Sequence, residues 1–121
     1  MNLLRSFLFA SLALLAAAPT FALAGKAPAP SASAQRGLAI AEQRCAACHA
    51  VRPNGSSPNP EAPPWEDIAN RPGTSQRTLR RFLTDSHNFP MAMQFEVERS
   101  HIRDLAAWMI TLQRKEYRPT R

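Results

Sequence analysis

Two thiols and an imidazole fall within five residues in Cys45-Ala46-Ala47-Cys48-His49, and the chain has no other cysteine. Thiols three positions apart project from one helical turn, and at that spacing they can add to the two vinyl groups of a haem as thioethers. The histidine that follows is then tethered beneath the ring, where its imidazole takes one axial position on the iron. Cys45 and Cys48 would make the attachment covalent, and His49 would supply a metal ligand.

Other chemistries use the same residue types. A thioredoxin-like redox pair needs its cysteines at a helix N-terminus in a βαβ pattern, and no such pattern surrounds Cys45. Zinc could draw on Cys45, Cys48, His87 and His101, but the second pair is not spaced like a Cys or His knuckle. A disulfide between cysteines three apart on a helix would be strained and would leave His49 without a task. The motif therefore reads as the attachment point of one haem c.

The N-terminus sends this chemistry out of the cytoplasm. Arg5 forms a positive start, Phe7 to Ala18 an apolar stretch, and Ala22-Leu23-Ala24 a small-x-small cleavage site, so residues 1–24 read as a signal peptide. Pro19 and Thr20 interrupt the apolar run before it reaches bilayer-spanning length, which predicts no stable membrane span after cleavage.

Charge narrows the partners. The chain has 15 Lys and Arg against 9 Asp and Glu. Nucleic acid is excluded as a partner by the export signal and by the lack of a basic groove interleaved with aromatics. An acidic docking surface on a partner protein and a simply solvated basic surface both fit the remaining excess.

The elements that must position the motif follow from composition and period. Residues 25–34 are a Pro/Ala-rich flexible leader, 35–115 one small domain, and 116–121 a tail. Good helix formers run from Gln35 into the motif, with Ser33 as the expected cap. Val51 to Pro64 carries five prolines and Asn54-Gly55, a loop signature. Trp65 to Ala69 forms a short helix closed by Arg71-Pro72-Gly73. Thr74 or Ser75 caps a third helix to about Asp85, with Leu79, Phe82 and Leu83 inward and Arg77, Arg80 and Arg81 outward as a solvated face. A loop over Ser86 to Glu96 holds His87, Met91 and Met93. The last helix runs from Val97 or Glu98 to Lys115, with Ile102, Leu105, Met109 and Leu112 as its apolar stripe and His101 on its polar side. The expected fold class is all-α, and a domain this short would use the haem as part of its core.

Taken together, the mature domain from Gly37 to Leu112 resembles the monohaem class I cytochromes c. Four features carry the likeness: Gly37 eight residues before Cys45, Ala62-Pro63-Pro64-Trp65, a Met-bearing loop before the last helix, and Trp108 on that helix. The resemblance implies three to four helices around one covalently attached haem, with Gly37 letting the first helix cross the last one closely. It implies that the Pro63 carbonyl accepts a hydrogen bond from His49. It also implies a methionine as the second axial ligand, because a thioether stabilises ferrous iron. Met93, in Met93-Gln94-Phe95, matches the family form and is favoured; Met91 is the alternative, and His87 a histidine rival. The function implied is a periplasmic electron carrier, not an enzyme, that exchanges one electron with a protein donor and acceptor as a monomer. Two other readings remain: a cytochrome subunit of a periplasmic dehydrogenase or oxidoreductase complex, and a gas-binding or peroxidatic haem protein if no methionine reaches the iron.

Overall fold

A computed structural model describes residues 28–85, 91 and 96–119. The expected signal peptide, His87 and Met93 lie outside the described residues. Four helices appear in the order α1 (Ala32–Arg44), α2 (Trp65–Ala69), α3 (Gln76–Thr84) and α4 (Arg99–Ile110). No strand occurs among the described residues, in line with the all-α expectation.

Helix α1 starts three residues before the expected Gln35. Its cap is Ser31, whose hydroxyl accepts the Ala34 N–H at 3.2 Å. The predicted cap, Ser33, is occupied elsewhere: its hydroxyl donates to Asp104 Oδ1 on α4 at 2.5 Å. Local composition cannot register such a long-range partner. The leading face of α1 is built from small residues, with Ala34, Gly37 and Ala41 buried. Small side chains bring α4 close, and Leu105, Ala106, Trp108 and Met109 fill the seam.

Gly37 marks the point of closest approach. A Cβ built there would lie 1.9 Å from the Asp104 carbonyl oxygen and 2.5 Å from its carbon. Only glycine permits this crossing, as the resemblance implied.

An ion pair locks the same crossing. Asp104, 5 % exposed, accepts from Arg36 Nε at 2.7 Å and Nη2 at 3.1 Å as well as from Ser33. Arg36 and then Ser33, both bonding the charged form, hold the Asp104 carboxyl below the usual carboxylate range. A folded-state value below the unfolded one contributes stability above pH of about 4, and that contribution drains away as pH falls through the folded value. Asp104→Asn should lose about 1–2 kcal/mol at pH 7 and show a shallower acid decline than the parent; urea titrations from pH 7 to pH 3 measure both. Equal slopes would remove Asp104 from the acid transition.

Helix α3 follows the prediction at its start, where Ser75 and Thr78 form a reciprocal capping box. Phe82 lies on the same side as Leu79 and Leu83, as expected, but is 44 % exposed, because of the three only Leu79 is fully packed against the core. Helix α4 stops at Ile110, five residues before Lys115. Side chains around the end of α2 capture the chain there: Asn70 Nδ2 donates to the Leu112 carbonyl at 3.0 Å, and Asn70 Oδ1 accepts the Arg114 N–H at 2.8 Å. Gln113 completes the junction by donating to the Ala69 carbonyl at 2.9 Å. These bonds satisfy groups that a longer helix would have used internally. The tail then folds back over α2, with Arg114 paired to buried Glu66 at 2.5 Å and the Tyr117 hydroxyl bonded to Asp67.

Candidate haem site

The Cys-x-x-Cys-His segment follows α1 as a hydrogen-bonded turn. The Cys45 N–H still bonds the Ala41 carbonyl, and the Cys45 carbonyl accepts from Cys48 N at 3.1 Å and His49 N at 2.9 Å. This extra turn puts both thiols and the imidazole on the wall of one cavity of about 710 Å³. The thiols are free, not joined as a disulfide. Burial pushes the Cys45 thiol up to about 11, with Cys48 adding to the shift and Arg44 opposing it.

His49 is 7 % exposed, and its Nδ1 lies 2.8 Å from the Pro63 carbonyl oxygen. A carbonyl can only accept, so Nδ1 carries the proton of this bond. In the neutral ring the lone pair is then on Nε2, the nitrogen free to bind a metal. Trp65 packs beside the ring, centroids 6.4 Å apart and tilted at 52°.

The proline-rich loop is folded to deliver that carbonyl. Its ends meet where Trp65 N donates to the Ala50 carbonyl at 2.9 Å, and the Ser57 hydroxyl accepts from Ala50 N at 3.0 Å. Asn59 N reaches the Cys48 carbonyl at 3.2 Å, tying the loop to the motif itself. From the other side, Trp108 Nε1 on α4 donates to the Val51 carbonyl at 2.8 Å. Trp108 is thus more than core filler: it anchors the loop next to His49.

The rest of the cavity wall is mostly apolar. Ile40, Ile68, Leu79, Leu83, Leu105 and Met109 line it, with Phe82 and Val97. An apolar cavity of this volume, with two thiols and one oriented imidazole on its wall, fits a covalently attached haem. Among the described residues no three His, Cys, Asp or Glu side chains gather as a metal-binding set.

Two sequence expectations change here. His101 is not on the polar side of α4; it faces this cavity with a side chain 32 % exposed, its Nε2 3.8 Å from Glu98 Oε2. Its position four residues before Leu105 gave that signal, since both then share a helix face. Met109 lines the cavity as well as the core. Of the two candidate methionines, Met91 is 82 % exposed, while Met93 lies outside the described residues. No helix among the described residues is long and apolar enough to cross a membrane.

Comparisons with known proteins agree with this geometry. Residues 34–113 match the family model described as Cytochrome c. The chain is also similar to cytochrome c-552 of Bradyrhizobium diazoefficiens, 32 % identical over 82 residues that cover 68 % of this chain and 77 % of the relative. No solved structure gives a significant match.

Proposed function

The chain belongs to the cytochrome c family, and from that premise we propose that it is a one-electron carrier of the periplasm, its iron held between His49 and Met93. The carrying observation is the bond from His49 Nδ1 to the Pro63 carbonyl beside two free thiols on one apolar cavity. The haem, when bound, supplies a ferric/ferrous couple that takes up or releases one electron.

The chain's own residues do the rest. Cys45 and Cys48 hold the cofactor as thioethers, so that it is not lost on dilution into the periplasm. Pro63 fixes the imidazole plane and raises the basicity of Nε2. Trp65, Leu79, Leu105 and Met109 line the cavity and would exclude water from a bound haem and lower the local dielectric, so that the ligands and nearby charges would set its potential. Met93 would supply the second ligand to the iron and leave no position for a substrate, so the protein would pass electrons between a donor and an acceptor without being an enzyme itself. The export signal over residues 1–24 supports the compartment. The excess of cations favours partners with acidic surfaces, met by the protein as a monomer.

Ligation is tested by spectra of the oxidised and reduced protein. Met93→Ala should abolish the ferric charge-transfer band of a sulfur-to-iron bond and open the ferrous protein to carbon monoxide, whereas Met91→Ala should leave both unchanged. The reverse pattern would move the ligand role to Met91. Rapid carbon monoxide binding by the unaltered ferrous protein would overturn the carrier reading in favour of a gas-binding one.

A further inference from the structure

Helix α3 has two opposite faces with different chemistry. At 100° per residue, Thr78, Leu79, Phe82 and Leu83 share one side, and these line the haem cavity. Arg77, Arg80, Arg81 and Thr84 share the other side, where they border a shallow cleft of about 300 Å³ that faces away from the cavity.

The fold does not explain these arginines. All three are exposed, and none pairs with a carboxylate among the described residues. By contrast Arg36, Arg52, Arg103 and Arg114 each face an Asp or Glu within ion-pair distance. Helix α3 itself contains no acidic residue. Like charges at i, i+3 and i+4 weaken a helix, and Arg77 in its first turn also opposes the helix dipole. Arg81, in the last turn, suits the helix dipole, but the crowding of three cations on one face gives the helix no net gain, and none of them enters a salt bridge among the described residues.

We propose that the Arg77, Arg80 and Arg81 face of α3 is a docking surface for an acidic face of a partner protein, separate from the cavity through which electrons are exchanged. Charge complementarity selects the occupant, and the residue type refines it: the planar guanidinium fork matches carboxylates two bonds at a time, as lysine cannot. Because α3 stands between this face and the cavity, a partner held there does not displace the groups around the iron. The inference deepens the carrier reading and rests on it.

The experiment compares three haem-loaded proteins: the parent, R77Q/R80Q/R81Q, and R99Q/K115Q/R118Q as a control that removes the same charge from other exposed positions. Each is titrated with poly-L-glutamate at low salt, mixed with vesicles containing about 30 % phosphatidylglycerol, and oxidised by ferricyanide. The expected result is a loss of about tenfold in poly-L-glutamate affinity for the α3 variant, against about twofold for the control. Ferricyanide oxidation of the α3 variant should remain within about twofold of the parent, since the altered face is remote from the cavity. Equal losses in both variants would overturn the proposal, reducing the effect to net charge. Loss of vesicle binding with poly-L-glutamate affinity intact would also overturn it, replacing the protein partner with a membrane surface. A parent protein that carries haem but does not exchange electrons with ferricyanide would refute the carrier reading instead, and so the two failures are distinguishable.

Discussion

Cys45→Ala together with Cys48→Ala is expected to yield a chain from which acidified acetone extracts all haem, while the parent keeps its haem through the same treatment. Both thiols stand on the wall of one cavity with His49, and no other cysteine in the chain can substitute for them. Either single variant should retain one thioether and resist extraction. Haem that stays bound to the double variant after extraction would end the attachment assignment. The double variant should also lose much of its cooperative thermal transition. The packed core is rich in alanine, with Ala34, Ala41, Ala69 and Ala106 at 1 % exposure or less, and no large side chain is buried that fully. A core of small residues around a cavity of about 710 Å³ leaves Phe82 exposed and Ile40, Ile68, Leu83 and Val97 only half-buried unless the cofactor covers them.

Gly37→Ala is the second large effect, and it acts far from the iron. The added methyl group would sit 1.9 Å from the Asp104 carbonyl oxygen, a backbone atom that cannot rotate away. The α1–α4 pair must separate, which costs about 3 kcal/mol or more and should lower the melting temperature by at least about 10 °C. Circular dichroism melts of the haem-loaded protein measure this. Separation also pulls on the Arg36–Asp104 pair and on Trp108, and through Trp108 on the loop that presents Pro63. The variant should therefore show a changed axial-ligand spectrum as well as a lower melting point. A melting point within about 2 °C of the parent would mean that the two helices do not cross at this glycine.

The sequence reading went furthest where the chemistry is local. Cys45, Cys48 and His49 occupy neighbouring turns whatever the rest of the chain does, and Ser75 with Thr78 caps α3 through bonds three residues long. Pro63 and Gly37 were legible only through the family resemblance, since a loop proline and a helical glycine carry little information alone. Other features stayed hidden because their partners are distant in the chain. Ser33 was misassigned as a cap because its acceptor is Asp104, and the end of α4 was overrun because Asn70 intercepts it. A reading of each helix as simply inside or outside puts His101 in solvent, although it faces the cavity, and misses that Phe82 lines the cavity while 44 % exposed. A haem cavity introduces a third environment, a wall that is neither packed core nor open solvent.

What the sequence by itself determined is the kind of chemistry: thiol spacing and the adjacent imidazole follow from covalent order. The tertiary structure decided the state in which that chemistry is held. The folded proline-rich loop sets the Pro63 carbonyl 2.8 Å from Nδ1, which leaves Nε2 of His49 as the nitrogen free for a ligand, and α3 divides a cavity-facing side from an arginine side. Both outcomes depend on angles and contacts between segments far apart in the chain, and residue order constrains those only once packing has chosen among them.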